Sequence, residues 1–177
     1  MGVIHSIIKN EKPYKVLMGV IGELNDGYVK SGFPDAGDVG KATRNKKNAK
    51  PYEDMSEVAR VAVWNEFGTH NIPSRPFFRT AIDGNREKIF IMTAKIADNA
   101  MVGKTTVEKA FDQLGLYMQS IIRASIRSNI PPPNSPKTVK AKNSSRTLID
   151  TGQMINSVTW IKCTGKHAGK GLPEVAH

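Results

Sequence analysis

The stretch from Trp64 to Arg79, WNEFGTHNIPSRPFFR, constrains the fold more than any other part of the chain, because it is punctuated as a joint between two helices. Upstream, Asp54 to Phe67 places Met55, Ala59, Ala62, Val63, Glu66 and Phe67 at helical spacing, with Asp54 and Glu57 spaced as a capping box. Gly68 has no Cβ and suits the left-handed position that commonly ends a helix. Ser74 is the expected cap of the next helix, with Pro76 in its first turn, where a missing N–H costs nothing. Phe77 and Phe78 follow at once and pin the joint on an apolar surface. Arg75 and Arg79 lie four apart at this helix start, where the dipole disfavours cations by about 0.3–1 kcal/mol. Both arginines are therefore expected to have an acidic or backbone-carbonyl partner.

The rest of the chain is built from longer segments. Val3 to Ile8 reads as a short first strand. In Tyr14 to Leu24, Val16, Met18 and Val20 alternate with Leu17, Gly19 and Ile21, so both faces are apolar, as in a strand buried on both sides or at a subunit contact. Asn25 to Pro51 has no periodicity and carries the basic cluster Lys41, Arg44, Lys46, Lys47 and Lys50; it reads as a long loop, either solvated or ordered by a partner. Ser74 to Ala100 carries a helical stripe through Phe78, Ile82, Ile89, Met92 and Ile96, with Gly84 permitting a bend. Gly103 ends it, and Thr105 with Glu108 opens a second long helix that runs to about Asn129, before Pro131-Pro132-Pro133. The short joint predicts an antiparallel pair. Asn134 to Arg146 reads as an extended basic linker, Thr151 as the cap of a single helical turn, and Val158 to Cys163 as a strand.

These segments predict one domain over residues 1–163 and a mobile tail over 164–177. The fold class is α+β: a small, mostly antiparallel sheet, including Tyr14–Leu24 and Val158–Cys163, packed by two long helices and one shorter helix. No run approaches the roughly 18 apolar residues of a membrane helix, and the N-terminus lacks the apolar core of a signal peptide. The chain is thus expected in the cytoplasm where it is made, without membrane contact. Its single cysteine, Cys163, excludes an internal disulfide and a cysteine-based metal site.

The net charge of +10 is unevenly placed: residues 123–177 hold 9 Lys/Arg against 2 Asp/Glu. A basic C-terminal third points to an acidic partner, either nucleic acid or a protein surface.

Chemical motifs are weak. Asp150-Thr151-Gly152 matches the triplet of aspartic proteases, but Gln153 follows it and only 25 residues remain, so a turn explains it better. Gly103-Lys104-Thr105 would need glycine at 98 to be a phosphate-binding loop, and that residue is Asp98. His5, His70, His167 and His177 are scattered, and no cofactor or metal is expected. Asn143-Ser144-Ser145 is a glycosylation sequon without a secretory context.

Two blocks carry a resemblance. Asn65, Glu66, Phe67, Gly68 and Thr69, then Pro73 with Ser74, Arg75, Pro76 and Phe77, form the first. Ser135-Pro136 and Thr138, a basic run, and Leu148 through Asp150, Thr151, Gly152 and Gln153 to Met154, then Ser157-Val158, form the second. In this order the blocks resemble the tail-completion (virion morphogenesis) proteins of tailed bacteriophages, of the lambda minor tail protein Z type. They cover about a quarter of the chain, and residues before Asp54 and after Cys163 show no resemblance.

The resemblance implies a non-enzymatic structural protein of the virion head–tail junction, or neck. Such a protein works as a homo-oligomeric ring, a hexamer being favoured over a dodecamer. Its neighbours would be connector, terminator or tail-tube proteins, with non-specific contact to channel DNA as a further expectation. Candidate contacts are the basic loop residues and Lys137, Lys140, Lys142 and Arg146 of the linker. The alternative is a basic nucleic-acid-binding protein.

Overall fold

The structure is a computed structural model and describes residues 11–33 and 56–163. Their elements run α1 (Glu11–Asp26), β1 (Tyr28–Gly32), α2 (Glu57–Phe67), α3 (Phe77–Asp83), α4 (Arg86–Met101), α5 (Val107–Arg127), α6 (Pro136–Lys142), α7 (Gln153–Ser157) and β2 (Thr159–Cys163). The fold is α+β, with a two-stranded antiparallel sheet among the described residues.

Helix α5 is the axis of the molecule. Its 21 residues span about 31 Å and present Val107, Ala110, Phe111, Ile121, Ile122 and Ile126 as one buried stripe. Thr106 caps it by accepting the Lys109 N–H at 3.3 Å. Around its first half, Val107, Ala110 and Phe111 meet Ile96 and Ala100 of α4, with Val20 and Leu24 of α1 packed outside them. Around its second half, Ile121, Ile122 and Ile126 meet Ala62, Phe77, Ala81, Leu148, Met154 and Val158. Phe77, Ile122, Ile126 and Val158 are fully enclosed, each contributing about 1.5–3 kcal/mol by leaving water. The Ser125 hydroxyl donates to the Phe77 carbonyl at 2.6 Å and ties α5 to the start of α3. α5 ends at Arg127, followed by Asn129 at φ 60° and a proline run with no N–H to continue the ladder.

The sheet lies on α5. Tyr28 pairs with Cys163 and Gly32 with Thr159. Trp160 covers Gly115 of α5 so closely that a Cβ there would overlap the indole. Lys162 Nζ reaches Asp112 Oδ1 of α5 at 2.8 Å.

Several expectations are corrected. Tyr14–Leu24 is helical, within α1: Leu17, Val20, Ile21 and Leu24 are also spaced three and four apart, and Val20 and Leu24 pack on the α4–α5 core. Its place in the sheet is taken by Tyr28–Gly32, inside the segment read as loop, where a five-residue strand with Lys30, Ser31 and Gly32 leaves no apolar pattern. The cap of α2 is Ser56, whose Oγ accepts the Ala59 N–H at 3.2 Å, rather than Asp54. Ser74 caps nothing: the N-cap of α3 is Pro76, and Ser74 Oγ donates to the Glu66 carbonyl at 2.8 Å. Ser74–Ala100 is two helices broken at Gly84-Asn85, and the cap of α5 is Thr106, one residue beyond Thr105. Asn134–Arg146 contains helix α6, begun by Ser135 and Pro136 and closed by Asn143 in the left-handed conformation. Thr151 does contribute to the start of α7, its Oγ1 accepting the Gln153 N–H at 3.3 Å, but Gly152 occupies the N-cap position. The expected strand Val3–Ile8, most of the loop and the tail over 164–177 lie outside the described residues.

Candidate functional site

The joint between α2 and α3 is held by a carboxylate. Gly68 stops α2 at φ 79°, ψ 169°, a region that is essentially glycine-only. The chain then folds back through Thr69, whose Oγ1 accepts the N–H groups of Asn71 and Ile72, and the Arg75 N–H donates to the Asn65 carbonyl. Pro76, at φ −74° and ψ 67°, makes an inverse γ-turn in which the Phe77 N–H donates to the Arg75 carbonyl at 2.7 Å. α3 therefore begins without a cap of its own. Glu66, 6% exposed, supplies one: Oε2 accepts the Phe78 N–H at 2.8 Å, and Oε1 accepts both the backbone N–H and the Nε–H of Arg79. The negative charge sits at the positive end of α3 and compensates the arginine beside it.

Arg75 links this joint to the second block. Its Nε donates to the Pro132 carbonyl at 2.8 Å, and its Nη2 to the Pro133 carbonyl and Asn134 Oδ1. Asn134 Nδ2 in turn donates to the Arg146 carbonyl. Both arginines thus have the partners expected of them, Glu66 for Arg79 and carbonyls for Arg75. Burial lowers the Arg75 pKa from its ordinary value, since the guanidinium has only neutral oxygens around it.

Between the joint and the second block lies an open cleft of about 760 Å³. Val58, Val61 and Asn65 of α2 form one side, and Ile72, Pro73 and Arg75 continue it. Ser135, which caps α6, with Thr138 and Lys142 of that helix lines the other side, and Leu148, Asp150, Thr151, Gly152 and Met154 complete the wall. Residues of both blocks therefore line one surface.

Other predicted residues fall elsewhere. Lys137 and Lys140 are exposed on α6, whereas Lys142 turns to the cleft and its Nζ donates to the Arg146 carbonyl at 3.2 Å. Phe67 is exposed, with the Arg79 guanidinium 5.3 Å from its ring centre, and Phe77 is core. Asp150 is exposed in the turn before α7, with Gly152 at φ 81°. Lys41, Arg44, Lys46, Lys47 and Lys50 lie outside the described residues. No group of three His, Cys, Asp or Glu residues placed to hold a metal occurs among the described residues.

Sequence reasoning missed the capping role of Glu66, because the N–H groups that donate to it lie 12 and 13 residues ahead across an irregular turn. It also missed Thr147, buried with an Oγ1 that has no hydrogen-bond partner. Compared with protein-family models, curated proteins and solved structures, the chain matches none.

Proposed function

We propose that the chain is a structural subunit of a bacteriophage head–tail junction, forming a ring that completes the tail or joins it to the capsid connector. The observation that carries this reading is the meeting of the two blocks. Arg75, in the first, is hydrogen-bonded to Pro132, Pro133 and Asn134 at the threshold of the second, and both line one cleft. The resemblance therefore falls on one folded unit rather than on two unrelated stretches. Exposed aromatic side chains support a role in contacts: Tyr14, Trp64, Phe67 and Phe90 are all at least 44% exposed. On grounds of resemblance alone the ring is a hexamer, with a dodecamer as the other form. Connector, terminator or tail-tube proteins are its neighbours in the virion, and it is made in the host cytoplasm. No catalytic step belongs to this role. Among the described residues no helix is long and apolar enough to cross a membrane.

The test is a phage lacking this chain. Heads and tails should accumulate unjoined or with unfinished tails, and purified protein added to the lysate should restore infectious particles. Normal joined particles in its absence would reject the reading.

Lys137 and Lys140, exposed on α6, favour a second reading as a basic nucleic-acid-binding protein. In that case affinity for DNA should be sequence-independent and fall steeply with salt, and replacing both by Gln should flatten the salt dependence. Equal behaviour of wild type and variant would remove this reading.

A further inference from the structure

Arg75 is a buried cation with no anion. It is 5% exposed, and no carboxylate of the described residues lies within ion-pair distance of it. Neutral acceptors hold Nε and Nη2. Nη1 makes no hydrogen bond, and it is not among the enclosed side-chain atoms that lack one. A guanidinium withdrawn from water without a counter-charge is normally paired or serves to receive one. Thr147, 6% exposed on the same cleft, also keeps an Oγ1 without a partner.

The surroundings choose the kind of anion. Val58, Val61, Leu148 and Met154 give the cleft apolar wall area. Asn65, Asn71 and Gln153 supply side-chain amides, which both donate and accept, as an extended peptide backbone requires. Glu57 and Asp150 are exposed carboxylates on the same cleft and would repel a phosphodiester backbone, which carries a charge on every unit. A polypeptide with one acidic side chain among apolar ones meets this repulsion once rather than at every unit, and can place its single charge on Arg75, with Lys142 as a second cation on the same cleft.

We infer that the cleft is a binding site for an extended segment of another protein, with a carboxylate seated on Arg75 and flanking apolar side chains on Val58, Val61 and Leu148. This site is defined by the chemistry of the cleft and stands apart from the junction role: phage that assemble normally without the chain would reject that role and leave the cleft untouched.

Because Arg75 also holds the proline run, its own substitution risks the fold. The test therefore varies the ligand and an exposed wall residue. The full chain is offered a pool of acetylated hexapeptides randomised around a central Glu, and separately the same pool with Gln, and bound peptides are identified by mass. At least about tenfold better retention of the Glu pool is expected, with selection for apolar flanking residues. Val61→Asp, with its circular dichroism and melting unchanged, should abolish both effects. Equal retention of the two pools, or undiminished selection by Val61→Asp, overturns the site. A thymidine decamer that shifts the amide resonances of Leu148 and Met154 where the Glu pool does not would overturn it in favour of nucleic acid.

Discussion

Glu66 Oε1 accepts two hydrogen bonds from Arg79, one from its backbone N–H at 3.1 Å and one from its Nε at 3.0 Å. The side chain of Arg79 is 56% exposed whereas that of Glu66 is 7% exposed, so the pair is unequal. For Glu66 the backbone caps of α3 matter more than the ion pair. Glu66→Ala should cost about 2 kcal/mol, since it leaves two part-buried N–H groups at the start of α3 without their acceptor, while Arg79→Ala should cost about 1 kcal/mol or less. Chemical denaturation of both variants measures the difference. Equal losses would show that the ion pair is what Glu66 provides.

Gly68 should be irreplaceable. At φ 79° a Cβ would stand 2.9 Å from the Ser74 nitrogen and 3.0 Å from the Ile72 carbonyl oxygen. Gly68→Ala is expected to lose about 1–3 kcal/mol. Gly19→Ala, on α1 with open space around it, should instead gain up to about 1 kcal/mol. Melting temperatures of the two variants should move in opposite directions; a shared direction contradicts the assignment of the joint.

The sheet depends on one close approach. Gly115→Ala would push the Trp160 indole off α5 and should destabilise by about 1–3 kcal/mol. It should also shift tryptophan emission to the red, a change that Leu116→Ala, at an exposed neighbour, should not produce. Unchanged emission in Gly115→Ala would show that the sheet is not seated as described.

Lys162 links stability to pH. Its pKa is raised by the hydrogen bond to Asp112, against some desolvation, with the Asp112 and Glu108 charges adding to the rise. A raised value means that the stabilisation is fully present below the unfolded value, about 10.4, and is lost as pH rises through the folded value above it. Wild type should therefore melt above Asp112→Asn at pH 8, and the gap should close at strongly alkaline pH. A gap that widens there would reverse the sign.

Much of the joint was legible, because its signals are local: Gly68 at a helix end, and arginines near a helix start that require partners. What needed tertiary context was not. Glu66 looks like one more residue of α2 until the chain has turned back on it. Tyr14–Leu24 is apolar on both sides, so alternation and helical spacing fit it equally well, and Gly19 and Gly22, which weaken a strand and a helix alike, do not decide between them. Ser135-Pro136 carries a helix-start signature, but α6 buries no residue, so it has no apolar stripe to confirm the signal. The cleft could not be read at all, since its walls come from residues 57–75 and 132–154, far apart in sequence.

The junction role is tested most directly by the mass of the assembled protein, measured by native mass spectrometry on the purified chain and on material released from finished tails. The account predicts closed rings of six 19.4 kDa chains, with the same stoichiometry recovered from the neck of the virion. A chain that stays monomeric at every concentration and is absent from finished particles would contradict it.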